Sequence, residues 1–185
     1  MEELSDKELI NFYLKKGEQK ALEVLIGRYL KPTYNFILRF TRSPADSEDL
    51  TIETFLKMWK NLKKFNPSKD FRVWLFTIAK NTTFDFFKKR KKEYSFSDYY
   101  FFDENFEEKI PSDFSLEEKI NNDYQYQLLE KEIKKLPLNY QMVLALYYND
   151  HLSFKEISEV FQKPLNTIKS WHHRALKILK KKFQN

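Results

Sequence analysis

The sequence predicts an all-α protein: two helical domains joined by an acidic linker. Three observations carry that prediction. Apolar residues recur at three- and four-residue spacing through most of the chain. Only two of the 185 residues are glycine, Gly17 and Gly27, which leaves little provision for hairpin-rich sheets or phosphate-cradling loops. The helical spacing lapses between Glu93 and Ser115, where acidic residues collect instead. The expected division is therefore a helical domain over residues 1–92, a linker over 93–115 and a second helical domain over 116–185.

In the first domain, Leu9, Phe12 and Tyr13, then Leu22, Leu25, Ile26 and Tyr29, mark two amphipathic helices. The run "SPADSEDL" opens a third, with Ser43 as N-cap, Pro44 at N1 and Asp46 at N3. Its apolar residues are Leu50, Phe55, Leu56, Met58, Trp59 and Leu62. Pro67 in "KKFNPSKD" stops helix continuation, and Asp70 is placed to cap the next helix, which runs from Phe71 towards Lys92. That helix is apolar on two sides: Phe71, Trp74, Leu75, Ile78 and Thr82 share one face, while Val73, Phe76, Phe84 and Phe87 lie opposite with Lys80. Such a helix is either packed on both sides or lends its second face to a ligand.

The linker is rich in rings from Tyr94 to Phe106, more than a solvated tether needs. Helical spacing resumes at Leu116, Ile120, Tyr124 and Leu128 and is expected to continue to Leu136, ahead of Pro137. A helix "LNYQMVLALYY" follows, then a turn over Asn149 to Leu152. The next helix, "SFKEISEVF", starts with Ser153 and Glu156 in capping-box positions, and a basic helix runs from Pro164 onward. Two helices joined by a short turn near Gln162, the second of them basic, have the pattern of a helix-turn-helix.

Several chemistries are excluded by composition. Without cysteine there are no disulfides, zinc fingers, iron–sulfur clusters or thiol nucleophile. No nucleophile elbow or triad-like signature is present, and no cofactor site is expected; the chain does not read as an enzyme. His172 and His173 are adjacent, so on a helix they point about 100° apart, whereas chelation from one helix needs i, i+3 or i, i+4 spacing. The acidic, amphipathic start "MEELSDKELINF" is not an export signal and no apolar run is long enough to span a membrane, so a cytoplasmic protein is expected.

Charge points to nucleic acid. Nine acids and one base between Glu93 and Glu118 give that segment a net −8, so the remainder carries +14 against a total of +6. On a wheel of the last helix, Leu165, Ile168, His172, Ala175, Leu176, Leu179 and Phe183 form one stripe. Asn166, Ser170, His173, Lys177 and Lys181 form the opposite one, flanked by Lys169 and Arg174. That second set combines base-edge readers with phosphate-neutralising lysines, as a major-groove helix requires. Within the first domain, Lys63, Lys64, Asn66 and Lys69 lie beside a helix bearing Phe76, Phe84 and Phe87 and ending in "KKRKK". Cations interleaved with rings suit unstacked bases better than a closed duplex.

Together these motifs resemble bacterial sigma factors of the extracytoplasmic-function type, within the sigma-70 family. "GEQKALEVLIGRY", "ADSEDLTIETFLKMW" and "FRVWLFTIAKNTTFDFFKKRKK" are similar to successive pieces of that family's first domain, and "LPLNYQMVLALYYNDHLSFKEISEVFQKPLNTIKSWHHRALKIL" to its second. The resemblance implies core RNA polymerase and promoter DNA as partners, with an anti-sigma protein as a further candidate. It places polymerase contacts at Asp46, Glu48, Asp49 and Glu53. It assigns melting of the −10 element and capture of its bases to the loop over 63–70, including Lys63, Lys64 and Asn66, and to Phe71, Arg72, Lys80, Asn81, Thr83, Phe84, Phe87 and Lys88. Reading of the −35 duplex falls to Asn166, Lys169, Ser170, His173, Arg174 and Lys177. It also gives the acidic linker a course along the polymerase. The chain departs from the family pattern at Ile52, commonly glutamine; at Gln162, usually glycine; and at His172, usually a core leucine. The rival is an autonomous helix-turn-helix regulator with an N-terminal oligomerisation or sensing domain, which would have no use for the ring-and-lysine surface of residues 63–92.

Overall fold

A computed structural model describes residues 1–94 and 123–183, with side chains over 1–90 and 128–182. Every regular element among them is helical, and the chain divides into two compact units, Met1–Ser95 and Phe96–Asn185. The segment expected to form the linker falls almost wholly outside the described residues, as do the spacing residues Leu116 and Ile120.

The first unit holds α1 (Asp6–Lys16), α2 (Gln19–Thr41), α3 (Pro44–Asn61), a 3₁₀ turn (Leu62–Lys64) and α4 (Phe71–Tyr94). Local chemistry sets their ends. Ser5 and Glu8 cap α1 reciprocally, and Gly17 closes it at φ +68°, a left-handed conformation that costs glycine nothing. Ser43 accepts from the Asp46 amide at the start of α3, with Pro44 at N1, as the sequence predicted. Asp70 accepts the Val73 amide at 3.1 Å and so caps α4. A polar cluster ties α1 to α2: the Asp6 carboxylate accepts from Arg28 and from the Tyr29 hydroxyl. Burial of Tyr29, reinforced by that carboxylate, raises its pKa well above the usual phenol range.

The core gathers Leu9, Ile10 and Ala21 with Leu25, Phe55, Met58, Leu62 and Leu75. The two-sided helix α4 is packed on both sides, against α2 and α3. Val73 and Phe76 of its second face are 4% and 1% exposed, and the Phe76 ring meets Phe36 edge-on at 5.2 Å. α3 also buries small hydroxyl residues, and these donate their hydrogen bonds to their own helix: Thr51 to the Ser47 carbonyl at 2.6 Å, Thr54 to that of Leu50 at 2.7 Å. Their polar atoms are thus satisfied within α3.

The second unit holds α5 (Asp123–Ile133), α6 (Leu138–Leu144), a π-helical turn (Ala145–Asn149), α7 (Phe154–Phe161) and α8 (Leu165–Phe183). α5 ends at Ile133, three residues before the expected Leu136, because Pro137 serves as N-cap of α6 and the chain turns ahead of it. The buried Gln141 amide donates to the carbonyls of Leu136 (2.7 Å) and Lys134 (3.2 Å) and fixes that corner. Ser153 and Glu156 form the predicted capping box on α7. Gln162 ends α7 at φ +53°, the left-handed state that glycine adopts most readily, with its amide donating to the carbonyls of Ser158 and Glu159. Leu129, Leu136, Tyr140, Leu144, Ala175, Leu176 and Leu179 make the core that seats α8.

Candidate nucleic-acid interface

α8 divides as its sequence predicted, with one exception. Ile168, Ala175, Leu176 and Leu179 are buried, but Leu165 is 39% exposed, because it lies in the first turn, beyond the core on which the rest of the stripe rests. The Phe183 side chain falls outside the described residues. On the outer side Asn166, Lys169, Lys177 and Lys181 are exposed, and Ser170, His173 and Arg174 are half-buried. The two histidines take different environments. The His172 ring sits among Phe154, Tyr147 and Tyr148, with centroids 5.0, 5.1 and 5.7 Å away, and its Nε2 is buried without a hydrogen-bond partner. Burial, and secondarily the charge of His173, lowers its pKa to about 4.

A second surface lies on the segment joining α3 to α4. Lys63, Lys64, Asn66 and Lys69 are exposed there, while Phe65 is 8% exposed, with its ring tilted against Trp74 at 4.9 Å and edge-on to Phe71 at 5.6 Å. Along α4, Asn81 and Lys88 are exposed; Arg72, Phe84 and Phe87 are half-buried, with Arg72 lying 5.7 Å from the Phe76 ring. Phe86, absent from the expected set, joins them edge-on to Phe87 at 5.3 Å and carries Arg90 at 5.5 Å. Three expected base-contacting residues are instead core residues. Phe71 is 3% exposed, in the ring cluster with Tyr29 and Phe65, and Thr83 is fully buried with its hydroxyl donating to the Ala79 carbonyl at 2.8 Å. Lys80 is 8% exposed on the side of α4 that packs inward.

The third surface is on α3. Glu48, Asp49 and Glu53 are exposed, with Glu53 paired to Lys57 at 2.7 Å. Asp46 is half-buried, serves as N3 of α3 and lies 3.5 Å from Arg90. Beside the acids runs a feature that the sequence reading missed: Ile52, Leu56 and Trp59 are 60%, 49% and 49% exposed at i, i+4, i+7 spacing, an outward apolar stripe. The signal is present in the sequence, since α3 is apolar on more than one face, but spacing alone does not separate Leu56 and Trp59 from the buried Leu50, Phe55 and Met58.

A helix-turn-helix with a basic outer face, on a chain that also carries a lysine-and-ring surface, defines a DNA-binding protein of two helical units. Comparison with known proteins narrows this class. Residues 25–93 match the profile of Sigma-70 region 2, and residues 126–179 that of Sigma-70, region 4. The chain is 28% identical over 180 residues to the ECF RNA polymerase sigma factor SigW of Bacillus subtilis, covering 93% of this chain and 94% of the relative. It is 29% identical over 191 residues to the ECF RNA polymerase sigma-E factor of Escherichia coli K12, covering 99% and 96%. The fold is shared with the sigma factor RpoE of Bartonella quintana, solved with the anti-sigma factor NepR (TM-score 0.66, 22% identity, 89% of this chain and 98% of that one). It is shared also with CnrH, solved with the cytosolic domain of CnrY (TM-score 0.68, 19% identity, 97% of each chain). The chain belongs to the sigma-70 family, as a member of the extracytoplasmic-function type, and its function is promoter-specific transcription initiation with RNA polymerase. Among the described residues no helix is long and apolar enough to cross a membrane.

Proposed function

We propose that this chain docks on core RNA polymerase through α3, reads the −35 duplex with α8 and opens the −10 element with the loop over 63–70 and the exposed edge of α4. The observation that supports this division is that three unlike surfaces occur on one chain: acids around an apolar stripe, lysines around half-buried rings, and a basic helix behind a capped partner. Each suits a different ligand. The α3 stripe of Ile52, Leu56 and Trp59 would bury apolar area against a helical partner, with Glu48 and Asp49 steering basic residues of that partner. Asn166, Lys169, Ser170, His173, Arg174 and Lys177 would enter a major groove. Lys63, Lys64, Asn81, Phe84, Phe87 and Lys88, joined by Phe86, would line a path for an unstacked strand. Phe71, Thr83 and Lys80 would act from inside, by setting the shape of α4 and the loop, and Asp46 by capping α3. Opening needs no ATP on this reading, because binding of extruded bases offsets a stacking cost of about a few kcal/mol per step. An anti-sigma protein is a further proposed partner.

Transcription with purified core polymerase, with and without this chain, tests the reading on fragments of the source genome. Initiation at a defined subset of fragments only when the chain is added is the expected result. No initiation at any fragment, together with tight duplex binding by the chain alone, would replace it with the autonomous regulator.

A further inference from the structure

The loop between α3 and α4 is fastened at both ends. At one end the Phe65 amide donates to the Leu62 carbonyl at 3.1 Å and the Phe65 ring is buried. At the other, Asp70 accepts the amides of Val73 through its carboxylate at 3.1 Å and of Trp74 through its carbonyl at 3.2 Å. Between these anchors Asn66, Pro67, Ser68 and Lys69 are all exposed, so no packing fixes them. One side chain does. The Asn66 Oδ1 accepts both the Ser68 amide at 2.9 Å and the Ser68 hydroxyl at 2.8 Å, while the Asn66 carbonyl accepts the Lys69 amide at 3.0 Å. These bonds close a turn over residues 66–69 in which Pro67 presets the first central φ, and asparagine before proline is the favoured start of such a turn.

We propose that Asn66 is a positioning residue for promoter opening: acting through Ser68, it holds the 66–69 turn in the shape that presents Lys69 to the separated strand, beside Lys63 and Lys64 of the preceding 3₁₀ turn. This rests on the reading that the loop engages the −10 element, and it changes the role expected of Asn66 from base contact to loop builder. The Asn66 side-chain oxygen Oδ1 is already occupied by two donors from Ser68. A loop ordered before DNA arrives is spared the ordering cost that a free loop would meet on binding.

The test uses the full chain bound to core polymerase, with non-template single-stranded DNA from a promoter on which the wild type initiates. Asn66→Ala and Ser68→Ala should each weaken binding by about two- to tenfold, the range of one neutral hydrogen bond, and the double variant should be no weaker than Asn66→Ala alone. In the DNA-free protein, hydrogen exchange at the Ser68 and Lys69 amides should quicken in Asn66→Ala and stay slow in Asn66→Asp, which retains the acceptor oxygen. Polymerase binding and unfolding temperature should not move, because all the altered atoms are exposed. Weaker strand binding by Asn66→Ala with unchanged exchange at the Ser68 and Lys69 amides would show that Asn66 touches DNA itself and would overturn the proposal. Unchanged strand binding by Asn66→Ala would overturn it too. Failure of the wild-type complex to bind the strand at all would remove the −10 reading, and this proposal with it, whatever the exchange rates showed.

Discussion

His172 lies in the stripe of α8 that faces the core, and its surroundings are apolar: the rings of Phe154, Tyr147 and Tyr148 lie around it and its Nε2 has no partner. The consequence is a pH dependence with a definite sign. Above pH 6.5 the ring is neutral in both folded and unfolded chains, and titration contributes nothing. Between 6.5 and about 4 the unfolded chain takes a proton that the folded one refuses, so stability falls with acidification, by up to about 1.4 kcal/mol per pH unit and by less for a ring partly open to solvent. His172→Leu should abolish that slope and raise stability at pH 7 by about 1 kcal/mol, by removing an unsatisfied buried nitrogen. Thermal unfolding at pH 7 and pH 5 measures both; an unchanged slope would mean that another group titrates. The adjacent residues that suggested a metal pair thus differ in role, His172 inside and His173 on the outer side. That separation was legible from helical geometry. The burial of Thr83 and Lys80 was not, because a polar residue on an interhelical face looks in sequence like one on a surface, and Thr83 conceals its polarity by bonding its own helix.

The same ambiguity operates on whole helices. Caps were readable because they depend on neighbours in sequence: Ser43, Asp70, Ser153 and Glu156 all do what their spacing predicts. Which faces are covered depends on the number of helices packed around an element, and periodicity does not encode that number. α4 is two-sided because α2 and α3 enclose it; α3 is two-sided yet has Ile52, Leu56 and Trp59 uncovered. If the α3 stripe meets polymerase, Ile52→Lys should weaken binding of the core about tenfold, since a charge replaces a side chain worth about 1.5–3 kcal/mol when buried. The unfolding temperature should stay near the wild-type value, because Ile52 is 60% exposed. Competition for core polymerase measures the first and calorimetry the second; equal competition by the variant would remove Ile52 from the interface. Asp49→Lys is a cleaner charge reversal than Glu53→Lys, because Glu53 holds Lys57, which also donates to Thr82 across α3 and α4 at 3.1 Å.

At the scale of the whole chain, charge is separated along the sequence rather than balanced. The acidic stretch of net −8 over 93–118 separates two helical regions of the sequence that share the remaining +14, so those regions bear the attraction for nucleic acid and the acidic stretch opposes it. The helical class and the order of the two units could be read from periodicity, the scarcity of glycine and the lapse near residue 100. The loop over 63–70 could not be read to the same depth, because its shape depends on three bonds around Asn66 that composition does not reveal. The role proposed for this chain is to confer promoter opening on a polymerase that lacks it. Permanganate reactivity of unpaired thymines reports that event directly, on a duplex promoter fragment that the complex binds. Core polymerase together with the chain should make the −10 thymines reactive without ATP, and neither component alone should do so. Thymines that stay unreactive in the complete mixture, while α8 still protects the −35 duplex, would contradict the account.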